Sequence, residues 1–217
     1  MMTETFRSPS IDTRVLELFA LVGDGFVGAR EALIHGDVSI STLLIDREKR
    51  IDRLYNSLQN EVSSRLLVGG LDPAEVQYLV GVVRIIPELE RSGDLAEHIA
   101  RKAAMDLSRD LRPRCRGIMQ QMGELGTLMW NQASIAYDTR DPTIANMLDE
   151  MDESLDDLHV SFIAEVVSSS PPTTVAMELA LVGRFLERFG DHAVNLARTV
   201  AAIATQLDPY PKGTSRA

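Results

Sequence analysis

Eight carboxylates are the residues of this chain best placed to do chemistry. They form four pairs of the pattern acid-x-x-x-Asp: Glu48/Asp52, Glu90/Asp94, Asp152/Asp156 and Glu187/Asp191. On a helix, positions four apart share a face one turn apart. Like charges so placed repel by about 0.2–0.5 kcal/mol, so each pair needs full solvation or a compensating cation. The first two pairs are centred on position 71, inside Gly69–Pro73, and the last two between 171 and 172, inside Pro171-Pro172. In an antiparallel hairpin, residues equidistant from the turn lie level. Each hairpin is therefore expected to set two acidic pairs side by side, although the second is seven residues shorter between its motifs. Four carboxylates at one height make an oxygen-rich site for a hard or borderline cation such as Mg²⁺, Mn²⁺, Ca²⁺ or iron. His98, one turn beyond Asp94, and His192, beside Asp191, are possible additional metal ligands, and His159 lies near Asp156. The plainer alternative is a solvated acidic helix face.

Long helices have to position these acids. Apolar residues recur at three- and four-residue intervals almost throughout, which predicts six helices: about 11–34, 38–67, 73–108, 112–137, 142–167 and 174–206. Val15, Leu18, Phe19, Val22, Phe26 and Leu33 mark the core face of the first; Leu44, Ile51, Leu54, Leu58, Val62 and Leu66 mark that of the second. Gly36 suits a left-handed helix end, Asp72-Pro73 a capped restart, and Pro87 is expected to kink the third helix. The chain also repeats itself. Glu90-Arg-Ser-Gly-Asp94 through Arg101 aligns with Glu187-Arg-Phe-Gly-Asp191 through Arg198, and the segment at Glu48–Leu54 aligns more weakly with that at Asp152–Leu158. The fold class is thus all-α, two tandem pseudo-symmetric three-helix bundles, with repeats at 1–110 and 111–207 and a flexible tail at 208–217. Gly93 and Gly190 cost about 1 kcal/mol each within a helix, which predicts close helix approach at the seam between the repeats.

Composition narrows the function. The 217 residues carry a formal net charge of −10, which disfavours nucleic acid, and the densest basic stretch, Arg109 to Arg116, holds only four arginines. Cys115 is the single cysteine, so a reducing, cytoplasmic setting is expected and structural zinc is not. No apolar run approaches the ~18 residues of a membrane span, so membrane association is expected only through partners. The chain has no Gly-rich phosphate loop, nucleophile elbow or HExxH. A ferritin-like di-metal enzyme would want Glu-x-x-His on two helices, and only Asp156-x-x-His159 comes near. Met119, Met122, Met129 and Trp130 fall at helical spacing and are expected in the core.

At its paired Glu-Arg-x-Gly-Asp segments the sequence closely resembles the PhoU family, and Glu187-Arg188-Phe189-Gly190-Asp191-His192-Ala193-Val194-Asn195 resembles that family's second motif most closely. The resemblance implies two three-helix bundles with metal clusters, iron in some members, on the acidic motifs. It implies a regulator rather than an enzyme. Such a regulator works with a phosphate ABC transporter ATPase and a phosphate-sensing histidine kinase to repress phosphate-starvation genes, and a homodimer is the expected assembly. The chain departs from the family pattern at Glu75-Val76-Gln77, at Pro87, and at Ser92, where an apolar residue is usual.

Overall fold

The computed structural model describes residues 6–36, 40–105, 107 and 111–205, with side chains of the second helix described from residue 47 onward. Six helices follow in order: α1 (Pro9–His35), α2 (Ile40–Val68), α3 (Pro73–Ala103), α4 (Pro113–Thr139), α5 (Thr143–Ser169) and α6 (Thr173–Thr205). Among the described residues there is no strand, and no helix is long and apolar enough to cross a membrane.

Local chemistry accounts for the breaks. Gly36 ends α1 at φ 72°, its N–H closing on the Ala32 carbonyl. Gly69 and Gly70 also take positive φ, and the Asp72 carboxylate then accepts from the Ala74 N–H at 2.8 Å to cap α3, whose first residue is Pro73. Asp141 serves α5 in the same way through the Thr143 N–H. The third helix stops at Ala103 rather than near 108: the Ala104 N–H still reaches the Ala100 carbonyl four residues back, but the Met105 N–H tightens onto Lys102, three back. Pro87 sits within a helix that stays continuous; the residue whose carbonyl it leaves without a helical partner, Val83, is exposed. Leu44 and the 208–217 tail lie outside the described side chains and residues.

Within each repeat the three helices pack on one another, and across the repeats α1 meets α4 and α3 meets α6. The helices α1, α3, α6 and α4 thus close a ring, with α2 and α5 on opposite outer sides. Both repeats share one apolar core, centred on large rings from both. Phe26 of α1 stacks on Phe189 of α6 at 3.7 Å between centroids. Trp130 of α4 packs against Phe189 and donates its indole N–H to the Phe19 carbonyl at 2.9 Å. The expected core residues of α1, the three methionines and Trp130 are all buried.

Gly93 and Gly190 correct the seam expectation. A methyl group at Gly93 would meet Ile51 and Val22, and one at Gly190 would meet Leu155 at 2.3 Å and Met129 at 3.3 Å. These glycines admit the other helices of their own repeat. Close approach between repeats is tightest at Gly81, against Ile203, and Gly123, against Arg30, and also occurs at Gly23, against Trp130, and Gly126, against Phe26.

A polar cluster joins the repeats at one end. Buried Asp12 of α1 accepts from Tyr78 of α3 (2.9 Å), Tyr137 of α4 (2.7 Å) and Arg140 at the end of α4 (2.7 Å). Arg140 takes a left-handed φ of 59°, and its guanidinium lies 4.0 Å from the Tyr137 ring centroid. Burial pushes both tyrosine hydroxyls well above their ordinary pKa.

Candidate functional site

The α2–α3 hairpin brings its four acids together. Glu48 of α2 and Asp94 of α3 share a hydrogen bond, and Asp52 raises the proton affinity of both Glu90 and Asp94. These are the level partners expected from the turn. Burial, with the charges of Asp94, Glu97, Asp52 and Glu90, pushes Glu48 up to about 7. Burial and neighbouring acids likewise raise Glu90 and Asp94. Glu97 is a fifth acid that sequence reasoning missed, though its place three residues after Asp94 on the same face was a readable signal. His98 is exposed, its charge partly offsets Asp94, and its ring stacks on Phe185 of α6 at 5.3 Å.

The α5–α6 hairpin repeats this arrangement with a change. Asp152 and Glu187 are buried, Asp191 is half-buried and Asp156 is exposed, as its counterpart Asp52 is. Burial first, then Asp191 and Asp156, push Glu187 up to about 7 against the opposing pull of Arg184. Arg184, one turn earlier on α6, is hydrogen-bonded to Glu187 Oε1, while Glu187 Oε2 is buried without a partner among the described residues. Arginine meets both sets differently: Arg101 bonds Glu97 at the margin of the first at 2.8 Å, whereas Arg184 bonds the buried motif acid Glu187 of the second, a contact that sequence reasoning missed. His159 lies against Gly183 of α6, and burial lowers its pKa.

His192 stands apart from the acids beside it in sequence. It is buried in the α3–α6 seam, its Nδ1 is 2.9 Å from the Ser92 hydroxyl, and the charges that act on it are Glu88, Arg188 and Arg91. Asn195 donates to Glu88 nearby at 3.3 Å. The departure at Ser92 and the histidine of the second motif therefore meet across the seam. Beside them opens a cleft of about 460 Å³ lined by Arg91, Arg184, Arg188 and Arg198 together with Asp152 and Asp191.

Among the described residues no three His, Cys, Asp or Glu side chains form a ready-made cage for a metal ion. The donor chemistry nonetheless fits a hard or borderline cation: clustered carboxylates, mutually repelling, partly desolvated, with a buried Glu187 oxygen left unbonded.

Comparison with known proteins agrees with this architecture. The PhoU domain profile matches residues 15–103 and 119–200, one match in each repeat. The phosphate-specific transport system accessory protein PhoU homolog 1 of Mycobacterium tuberculosis is 29% identical over 199 residues, covering 90% of each chain. The PhoU homolog of Synechocystis is 28% identical over 201 residues, covering 90% of this chain and 88% of its own. Among solved structures, PhoU from Pseudomonas aeruginosa superposes with a TM-score of 0.85 at 22% identity, covering 91% of this chain and 97% of that one, which speaks to the fold.

Proposed function

The chain belongs to the PhoU family, and from that premise we propose that it is an accessory regulator of phosphate transport and of the phosphate-starvation response. It acts on the cytoplasmic side as an adaptor between a phosphate ABC transporter ATPase and a sensor histidine kinase. The observation that carries the reading is the match of both repeats to the family, supported by relatives named as accessory proteins of the phosphate-specific transport system. An adaptor needs docking surface, and each repeat offers some: Val76, Val80 and Val83 form an exposed stripe on α3, and Met177 and Leu181 form one on α6. Deleting the coding sequence in the native host should leave starvation genes expressed when phosphate is plentiful. A deletion strain that still represses them normally would overturn the reading.

The acidic motifs belong to the same proposal as metal sites. Glu48, Asp52, Glu90 and Asp94 would hold iron, manganese or magnesium in the first repeat; Asp152, Asp156, Glu187 and Asp191 would do so in the second. A bound cation would relieve the repulsion among the acids and brace each helical hairpin. Element-resolved mass spectrometry of gently purified protein tests this, with Glu90/Asp94→Ala and Glu187/Asp191→Ala each expected to remove the metal of one repeat. Metal content unchanged in both variants would reduce the acids to helix surface.

A further inference from the structure

The arginine-walled cleft has a chemistry of its own. Nine of its ten lining residues are polar or charged, with Val194 the exception, so it does not suit an apolar ligand. Three of its arginines are engaged: Arg91 with Glu88, Arg184 with Glu187, and Arg198 with Asp149 at 2.7 Å. Arg188 makes no ion pair among the described residues. This concentration of guanidinium groups stands out in a chain of net charge −10. A planar guanidinium donates two parallel N–H bonds, which matches the oxygen spacing of a tetrahedral oxyanion.

The cleft also presents acceptors. Ser92 has one hydroxyl proton, and that proton goes to the Glu88 carbonyl at 2.7 Å. In the neutral tautomer with Nδ1 protonated, the hydroxyl accepts at the 2.9 Å contact with His192 and Nε2 keeps its lone pair. Glu88 Oε1 lies 3.9 Å from that Nε2, beyond hydrogen-bond reach, and both retain capacity to accept from a third group. A hydrogen phosphate group offers charged oxygens to the arginines and a P–OH proton to these acceptors. Sulfate, fully deprotonated, offers no such proton and meets only repulsion from Glu88, Asp152 and Asp191.

We propose that this cleft between α3, α5 and α6 binds a hydrogen phosphate group, as free orthophosphate or on a phosphate ester, and discriminates against sulfate. The site is not a product of the repeat. In the register of the aligned motifs, Arg184 corresponds to Pro87, His192 to Leu95 and Asn195 to His98, so the first repeat lacks these three parts although it keeps Arg91 and Arg101 where the second has Arg188 and Arg198. The assignment stands on the cleft alone. Phosphate can bind here even if the deletion strain regulates normally, and regulation can hold without this site.

Calorimetric titration of the full chain with orthophosphate, sulfate and a simple phosphate ester tests it, run after chelator treatment and again with Mg²⁺. Saturable phosphate binding near one per chain is expected, with sulfate weaker by about tenfold or more. Arg188→Ala, at an exposed position, should weaken phosphate by about tenfold while leaving the circular dichroism spectrum unchanged. Arg101→Ala, the repeat counterpart of Arg198, should leave it within about twofold. An ester that binds more tightly than orthophosphate identifies the ester as the ligand class; the reverse identifies the free ion. No saturable binding in either metal state, equal affinity for sulfate, or an Arg188→Ala variant that binds like wild type overturns the proposal.

Discussion

The two α3–α6 contacts related by the internal repeat show how far the halves have diverged. On one side Glu88 meets Asn195; on the other, the corresponding residues Phe185 and His98 stack. The hairpin sites differ in the same sense. The first gathers five acids, with a crevice of about 10 Å³ beside Glu48. The second threads Arg184 among its acids and borders a cleft of about 460 Å³. A duplicated scaffold thus keeps its backbone and acid positions while surface substitutions give each copy its own electrostatics. Packing constrains buried positions far more than it constrains charges at the rim.

The largest expected effect concerns what makes two repeats one body. Asp12→Ala leaves Arg140 buried without its carboxylate and should cost about 3–5 kcal/mol in denaturant unfolding; a cost below about 1 kcal/mol would mean the repeats do not rely on this tie. Packing around the motif glycines should also differ between halves. Gly190→Ala drives a methyl group into fully buried Leu155 and should lose about 1–2 kcal/mol even after the helix gains from alanine. Gly93→Ala, whose nearest contact would be 3.3 Å, should be neutral or stabilising. Equal melting shifts for the two would erase the difference.

Electrostatic contrasts are smaller. If Arg184 restrains the second acidic set, Arg184→Ala should tighten Mn²⁺ at that set by about fivefold, worth roughly 1 kcal/mol, and leave the first set unchanged. Metal titrations of single-site variants read this out. In metal-free protein, burial and neighbouring acids push Glu48 and Glu187 up to about 7, from the 4.5 of an ordinary glutamate. Between those values the folded chain holds more protons than the unfolded one. Their stabilising contribution is therefore complete below about pH 4.5 and is lost as pH rises through 7. Glu48→Gln and Glu187→Gln remove that slope, so each variant should gain on wild type as melting is followed from pH 5 to 8. A difference that stays constant with pH would show that burial does not perturb these acids.

Much of this was legible in the chain. The apolar period located all six helices, and counting outward from the Gly69–Pro73 and Pro171-Pro172 turns paired Glu48 with Asp94 and Asp156 with Glu187, because both follow from local geometry. What stayed hidden depends on how helices rotate against distant neighbours. Ser92 and His192 are 100 residues apart, and Asp12 and Arg140 are 128 apart. Gly93 and Gly190 were visible as glycines, but which helix they admit was not.

The sequence by itself determined the helices, the duplication and the level of the four acidic pairs, since a hairpin leaves residues equidistant from its turn little choice of height. Only the tertiary structure decided that α3 and α6 run past each other in opposite senses. That crossing turns His192 away from the acids and toward Ser92, and gathers arginines from two repeats around one cleft. Side-chain burial and charge pairing across a seam arise from the docking of whole helices, and no local spacing encodes them.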